Sequence, residues 1–221
     1  MTAVPRTILY LHGFASGPGS FKGRAFAEHF GARGWTLHRL DLRLPDRDQL
    51  RVSAMIDHVA ERAERAGDVV VVGSSLGGLV GSHVAARRPE VRALVLMAPA
   101  FRFAARWPER LGEEAMTRWR EGEPLETEDH AGGAPLMVDY GFYEDAVRVD
   151  ARFPVVEVPT MVFHGVNDDT VDVDGSRAFV QQASHARLVE LDDGHTLVAS
   201  LPAMLAQTES FLDEISKRRT P

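Results

Sequence analysis

The five residues Gly73-Ser74-Ser75-Leu76-Gly77 place a serine among small residues at the end of an apolar run. A hydroxyl becomes a nucleophile when a neighbouring base takes its proton and N–H groups stabilise the oxyanion that forms. In a sharp strand-to-helix turn, flanking glycines let a serine project above the sheet edge, beside the first N–H groups of a helix. The spacing favours Ser75 over Ser74 as a nucleophile, and an ordinary tight turn is the alternative.

The base for such a serine would come from one of nine histidines. Reacting groups in an open parallel sheet gather beyond the carboxyl ends of the strands, which favours a histidine directly after a strand. His195 meets this condition in the segment Asp192-Asp193-Gly194-His195. His12 and His164 each precede a glycine at a strand end and are expected to brace loops, while His130 remains open. We predict His195 as the base, with a structural turn histidine as the alternative.

The acid that orients the base is expected after another strand and between the serine and the histidine in the chain. The predicted strand Thr160–His164 is followed by a loop that contains Asp168 and Asp169. Both carboxylates reach the required loop, so one of them would hold the imidazole and the other would cap or brace the loop. Ordinary loop or N-cap aspartates are the alternative for either residue.

Two N–H donors are needed to stabilise a tetrahedral oxyanion. The first is expected from Leu76, which follows the nucleophile. The second is expected from the loop after an early strand, where His12-Gly13-Phe14 points to the N–H of Phe14.

These residues need a scaffold, and apolar runs alternating with amphipathic stretches predict one. The chain is expected to form an α/β fold, with a mostly parallel sheet flanked by helices. The predicted strands are Arg6–His12, Trp35–Leu42, Asp68–Val72, Val91–Met97, Thr160–His164 and Ala186–Leu191. The predicted helices are Phe21–Ala32, Asp48–Ala66, Leu76–Arg88, Gly175–Ala183 and Ser200–Lys217.

Residues 101–154 interrupt this alternation and are rich in aromatic side chains without a clear strand. We predict a single domain over residues 1–221 that carries this segment, called the insertion below, as a small helical lid. Its aromatics would shape an apolar acyl pocket, and the candidate lining residues are Phe101, Phe103, Trp107 and Tyr143. Simple packing of each aromatic against the sheet is an equal alternative.

The amino-acid composition excludes some types of catalytic site and argues against some types of partner. The sequence contains no cysteine, which excludes disulfides, thiol catalysis and thiolate metal sites. A formal net charge of -7 argues against a nucleic-acid partner. No segment approaches the roughly 18 apolar residues of a membrane span. Met1–Arg6 shows no signal-peptide pattern, so a cytoplasmic location is expected.

Four motifs together resemble the small α/β-hydrolases, in particular their compact esterase/thioesterase branch of YqiA-like and palmitoyl-thioesterase-like proteins. The motifs are Leu11-His12-Gly13-Phe14, Gly73-Ser74-Ser75-Leu76-Gly77-Gly78, His164-Gly165-x-x-Asp168-x-x-Val171 and Gly194-His195. The resemblance implies an α/β-hydrolase fold with a trimmed N-terminus and a Ser75–Asp168–His195 triad. It favours Asp168 over Asp169, although Asp172 stands where these proteins often have proline.

The expected activity is hydrolysis of a small carboxylic ester or thioester through an acyl-enzyme, without a metal or an organic cofactor. The expected partner is a small-molecule substrate. A peptidase, an amidase or an acyltransferase could use the same triad, and a non-catalytic binding protein could use the same scaffold.

Overall fold

The structure, a computed structural model, describes residues 6–151 and 153–218. The strands are β1 (Thr7–Leu11), β2 (Thr36–Leu40), β3 (Val69–Ser74), β4 (Val91–Met97), β5 (Leu125–Thr127), β6 (Leu136–Val138), β7 (Thr160–Gly165) and β8 (Ala186–Leu191). The helices are α1 (Phe21–Gly31), α2 (Val52–Ala66), α3 (Leu76–Ala85), α4 (Phe103–Arg120), α5 (Tyr140–Val149), α6 (Val173–Gln182) and α7 (Leu201–Arg218). Residues 1–5, on which the expectation about a signal peptide depends, lie outside the described residues.

The main sheet has six strands in the order β2-β1-β3-β4-β7-β8, and every pair of neighbours is parallel. The predicted α/β class with a parallel sheet is therefore confirmed, and each of the six predicted strands is present. Parallel neighbours require a crossover, which explains why a helix lies between most consecutive strands. All carboxyl ends of these strands meet at one edge of the sheet.

The run of valines in β3 shows how the sheet separates two apolar layers. Val69 and Val71 pack into one hydrophobic cluster, whereas Val70 and Val72 pack into the other. Alternate side chains of a strand point to opposite faces, so a continuous apolar run fits a strand that is covered on both sides. Helices α1 and α7 cover the second cluster, while α2, α3 and α6 cover the first.

Helix α2 begins at Val52, four residues after the predicted start at Asp48. The carboxylate of Asp46 accepts hydrogen bonds from the N–H groups of Asp48 and Gln49, at 2.9 Å each. This local turn uses backbone donors that the first helical turn would otherwise leave exposed, so the helix starts later.

The insertion contains α4 and α5, as predicted, but it also contains two strands that the sequence analysis missed. β5 and β6 pair antiparallel in a separate two-stranded sheet. Strands of three residues are too short to show an alternating pattern, so hydrophobic periodicity could not predict them. Trp119 of α4 is buried and its indole N–H donates to the carbonyl of Val138 at 2.8 Å, which ties the helix to this hairpin.

The insertion packs on the first cluster through Met116, Trp119 and Phe142. Its helix α5 also contacts α2, where the Asp145 carboxylate accepts hydrogen bonds from the N–H and the hydroxyl of Ser53, both at 2.8 Å.

No helix among residues 6–151 and 153–218 is long and apolar enough to cross a membrane.

Helix α3 approaches β1 very closely, and this approach depends on Gly77. A Cβ atom at Gly77 would lie 2.3 Å from the carbonyl oxygen of Leu11, a distance that real contacts do not allow. We expect Gly77→Ala to lower the free energy of unfolding by about 1–3 kcal/mol, because backbone has to shift to admit the methyl group. Urea unfolding followed by circular dichroism measures the difference.

The matched control is Gly31→Ala at the exposed end of α1, where an added Cβ meets nothing within 4 Å. This variant should be neutral or slightly more stable, because alanine favours the helix. Equal destabilisation by the two substitutions would contradict the steric explanation.

Candidate active site

Ser75 occupies the turn between β3 and α3 in a backbone conformation that is unusual for a serine. Its φ is 53° and its ψ is −118°. Four backbone hydrogen bonds hold this strained conformation. The Ser75 N–H donates to Met97 O at 2.9 Å, and the Ser75 carbonyl accepts from the N–H groups of Gly78, Leu79 and Ala100 at 2.8, 3.2 and 3.1 Å. Ser74 is buried, whereas Ser75 is partly exposed, so the turn presents Ser75 at the sheet edge.

His195 connects Ser75 to Asp168. The Ser75 hydroxyl lies 3.1 Å from His195 Nε2, and His195 Nδ1 lies 2.7 Å from Asp168 Oδ2. Because a carboxylate only accepts hydrogen bonds, Nδ1 carries the proton and Nε2 is left to accept from the serine hydroxyl. The three side chains come from the carboxyl ends of β3, β7 and β8. This order of contacts is the one that activates a serine.

The carboxylate of Asp168 is almost fully buried, with 1% of its side chain exposed. Its Oδ1 accepts from the N–H groups of Thr170 and Val171 at 2.8 Å each, and its Oδ2 lies 3.2 Å from His164 Nε2. Burial alone would raise the pKa of Asp168, but the hydrogen bonds from His164, His195 and Val171 more than offset it. The pKa of this carboxyl therefore lies well below its ordinary value, and the group is ionised at neutral pH.

Asp169 points away from this arrangement. It is exposed, and its carboxylate accepts a hydrogen bond from the neighbouring Thr170 hydroxyl at 3.1 Å. Of the two aspartates that the sequence left open, the structure brings only Asp168 to His195.

Of the histidines outside this group, His164 and His12 brace the loops that carry the site. His164 is fully buried between the Ser176 hydroxyl at 2.7 Å and the Val171 carbonyl at 3.0 Å. His12 Nε2 accepts from the Leu42 N–H at 3.0 Å, and Nδ1 donates to Gly13 O at 2.9 Å. Burial lowers the pKa of His12, which keeps the ring neutral in this role.

The remaining open candidate, His130, does not join the site. Its side chain is 60% exposed and its Nδ1 lies 3.8 Å from a Glu128 carboxylate oxygen. Its backbone N–H donates to Ala15 O at 2.8 Å.

The loop that carries His195 passes close to the end of β7 because residue 165 is glycine. A Cβ atom at Gly165 would lie 2.2 Å from Asp193 O. Lys22 of α1 holds the other side of this loop, with its Nζ donating to Thr196 O at 2.7 Å. Burial lowers the pKa of Lys22 to about 8, against the opposing effect of the Asp193 and Asp168 carboxylates.

The two predicted oxyanion donors face the same space as Ser75. Phe14 and Leu76 both line a narrow pocket that includes Ser75. Neither N–H donates a hydrogen bond to another group in the part of the chain that the structure describes. They remain the predicted oxyanion donors.

The pocket beside Ser75 has a volume of about 90 Å³, small for a ligand site. Phe103 and Trp107 of the insertion line it together with Phe14 and Leu76. Phe101 and Tyr143, the other two aromatics proposed from the sequence, do not line it. Phe101 is buried and stacks on Phe179 at 4.7 Å between ring centroids, and Tyr143 packs on the outer side of Trp107. Their rings face these neighbours rather than the serine.

The sequence analysis did not predict five further residues that line this pocket: Ala100, Arg106, Arg110, Thr170 and Val171. A signal for the two arginines was present in the sequence. Phe103, Arg106, Trp107 and Arg110 follow the i, i+3, i+4, i+7 spacing of one helix face.

Within residues 6–151 and 153–218, no group of three or more His, Asp or Glu side chains is arranged to hold a metal ion.

The lowered pKa of Asp168 gives a prediction for stability. The folded chain binds fewer protons at this group than the unfolded chain, so its stabilising contribution is present above the unfolded pKa of about 3.9 and is lost as pH falls toward the lower folded pKa. We expect the difference in unfolding free energy between wild type and Asp168→Asn to shrink as pH is lowered from about 6 to about 3. Urea titrations at each pH measure it.

Asp169→Asn is the matched control, because its carboxylate is exposed and accepts a hydrogen bond from the neighbouring Thr170 hydroxyl. Its difference from wild type should change little over the same pH range. A pH dependence of equal size in both variants would contradict the assignment to the buried carboxylate.

Comparisons with known proteins find an esterase relative and several hydrolase structures. A pimeloyl-[acyl-carrier protein] methyl ester esterase from Xanthomonas campestris pv. campestris (strain B100) is 26% identical, over 85% of this chain and 86% of its own. The structure of mouse alpha/beta hydrolase domain-containing protein 10 superposes with a TM-score of 0.79 at 19% identity, covering 97% of this chain and 92% of that one. The structure of Est1E from Butyrivibrio proteoclasticus superposes with a TM-score of 0.73 at 22% identity, covering 96% of this chain and 88% of that one.

These neighbours confirm the α/β-hydrolase fold that the motifs predicted. The sequence model of the Uncharacterised protein family UPF0227 matches residues 7–212, which is nearly the whole chain. The chain therefore belongs to the UPF0227 family, within the esterase branch of the α/β-hydrolases.

Proposed function

We propose that this chain hydrolyses esters of small acyl groups through an acyl-enzyme on Ser75, with His195 as general base and Asp168 as the acid that orients it. The observation that carries the proposal is the continuous contact from the Ser75 hydroxyl to His195 and on to the buried Asp168, at 3.1 and 2.7 Å. The chain is a carboxylic ester hydrolase, a class supported by its esterase relative.

The first half of the proposed reaction forms the acyl-enzyme. His195 Nε2 takes the proton as Ser75 Oγ bonds to the carbonyl carbon, and the carbonyl oxygen becomes an oxyanion between the N–H groups of Phe14 and Leu76. Each such donor contributes about 2.7–4 kcal/mol to stabilising the transition state. Asp168 stabilises the imidazolium that forms. When the tetrahedral intermediate collapses, the bond to the alcohol oxygen breaks and His195 donates its proton to that oxygen.

The second half regenerates the enzyme. His195 takes a proton from a water molecule, whose oxygen attacks the acyl carbon, and the same two N–H groups hold the second oxyanion. Collapse of this intermediate breaks the bond to Ser75 Oγ, and His195 returns the proton to the serine. The products are a carboxylic acid and the free serine hydroxyl. A thioester would follow the same steps with sulfur as the leaving atom.

Ser75→Ala removes the attacking oxygen and is expected to lower kcat for p-nitrophenyl butyrate by about 10⁴-fold or more. A fluorophosphonate probe should label wild type at Ser75 and leave the variant unlabelled. Absorbance of released p-nitrophenol and mass spectrometry of the labelled peptide are the measurements. Turnover that survives the substitution would exclude the mechanism, and a wild type that neither turns over nor labels would indicate a binding protein.

Asp168→Asn and Asp169→Asn provide the internal comparison for this experiment. Asp168→Asn should lose far more kcat, because the imidazole loses the carboxylate that fixes its tautomer. The reverse ranking would assign the orienting acid to Asp169.

The small volume of the pocket predicts a preference for short acyl chains. Phe103 lines the pocket and Tyr143 does not, although both belong to the aromatic group of the insertion. We expect Phe103→Ala to raise the ratio of kcat/KM for p-nitrophenyl octanoate over butyrate by about tenfold, since it opens space for several methylene groups.

Tyr143→Ala is the matched control and should leave this ratio close to that of wild type. A panel of p-nitrophenyl esters from acetate to decanoate gives both ratios. If Tyr143→Ala moved the chain-length preference and Phe103→Ala did not, the acyl group would bind elsewhere in the insertion.

A further inference from the structure

Two arginines line the pocket beside Ser75, together with several apolar side chains. Arg106 and Arg110 lie four residues apart on α4, so they occupy the same face of the helix one turn apart, and both line the pocket with Ser75. A guanidinium remains charged at every pH at which a protein is folded. The pocket therefore carries two permanent positive charges on its wall.

Arg106 has no partner for its buried end. Its Nη1 is inaccessible to solvent and has no hydrogen bond within the described part of the chain. No carboxylate of the described residues forms an ion pair with Arg106. Arg118, farther along the same helix, is instead paired with Glu114 at 2.7 Å. A buried donor on a charged group is costly unless a partner binds it, and no described residue accepts a hydrogen bond from this one.

Arg110 is more exposed than Arg106, and it contacts the loop that follows β7. Its Nη1 donates to the carbonyl of Thr170 at 3.1 Å, which links the insertion to the loop that holds Asp168. A guanidinium has five N–H groups, and one neutral carbonyl does not balance its charge. No carboxylate among residues 6–151 and 153–218 forms an ion pair with it.

The chemistry of the missing acceptor follows from these two side chains. Two guanidinium groups on the wall of one pocket carry like charges, and an anion bound to both would balance these charges and accept a hydrogen bond from the unpaired Nη1 of Arg106. A neutral ester oxygen would accept one hydrogen bond and leave the charges unbalanced. The chain as a whole has a formal net charge of -7, so its general composition does not account for a positive pocket wall.

We propose that Arg106 and Arg110 bind an anionic oxygen group, such as a carboxylate, that the ester substrate carries close to its scissile bond. The proposal rests on the proposed function, because it assigns the substrate class of the same Ser75 site. It makes the preferred substrates charged esters, such as a half-ester of a dicarboxylic acid, rather than neutral lipids. The anion can belong to the acyl part or to the alcohol part of the ester, and the experiment separates the two.

The test compares pairs of esters that differ in one charge. Monomethyl glutarate and methyl pentanoate form the acyl-side pair, with methanol release as the measurement. Acetoxybenzoate and acetoxybenzamide, both para-substituted, form the alcohol-side pair, with phenol release as the measurement. We expect wild type to have the higher kcat/KM for the charged member of at least one pair, and that pair shows which side carries the anion.

Arg106→Met keeps the length of the side chain and removes its charge. It should lower the ratio of kcat/KM for the charged over the neutral ester of the preferred pair by about 10- to 100-fold, the loss expected for a hydrogen bond to a charged group. Arg106→Lys should retain part of the preference. Glutarate should inhibit turnover of the neutral ester, with a Ki that rises in Arg106→Met. Arg118→Met, on the same helix but outside the pocket, is the control and should leave both the ratio and the Ki unchanged.

The outcomes distinguish this proposal from the proposed function. If wild type hydrolyses neutral esters in a Ser75-dependent way but shows no preference for either charged ester, the ester hydrolase assignment stands and the anion site is excluded. A charge preference that Arg106→Met leaves intact also excludes it. Absence of any Ser75-dependent ester turnover would instead contradict the proposed function itself.

Discussion

The hydrogen bonds to the buried carboxylate of Asp168 are the constraint on which the candidate site depends. A charge with so little solvent contact is stable only when protein donors replace water, and here two backbone N–H groups and two histidines do so. One of those histidines, His195, is thereby fixed in orientation and tautomer toward Ser75. The other, His164, is itself locked by Ser176 and Val171. The same network thus satisfies a buried charge and aligns the reacting groups.

The sheet makes this network possible because it brings the ends of β3, β7 and β8 to one edge. Each of these strands is followed by a loop or turn that carries one of the three side chains Ser75, Asp168 and His195. Close approaches at Gly77 and Gly165 keep those loops against the sheet, where any side chain would collide with a neighbouring carbonyl. The strained backbone of Ser75 is maintained by hydrogen bonds to the segment after β4. Rigid elements, rather than the loops alone, set the distances between the three side chains.

The insertion supplies aromatic and positively charged side chains to the pocket beside Ser75. Its aromatic side chains form a connected group in which most rings pack on one another, and one face of α4 is left to line the pocket. That face combines apolar rings with guanidinium groups. The contact between Arg110 and the Thr170 carbonyl couples the insertion directly to the loop that carries Asp168.

The sequence by itself determined the strands of the main sheet, the turn at Ser75 and the short list that contained His195 and Asp168, because apolar periodicity and residue order along the chain encode them. Tertiary structure decided what depends on packing between distant segments. Asp168 and Asp169 are adjacent in sequence, and only the fold buries one against His195 and exposes the other. Likewise, the sequence offered four equal candidates for lining the pocket: Phe101, Phe103, Trp107 and Tyr143. The direction of each ring depends on the path of α4 and α5 across the sheet. The hairpin of β5 and β6 could not be predicted from the sequence for the same reason, since three-residue strands are stabilised by their partners rather than by their own pattern.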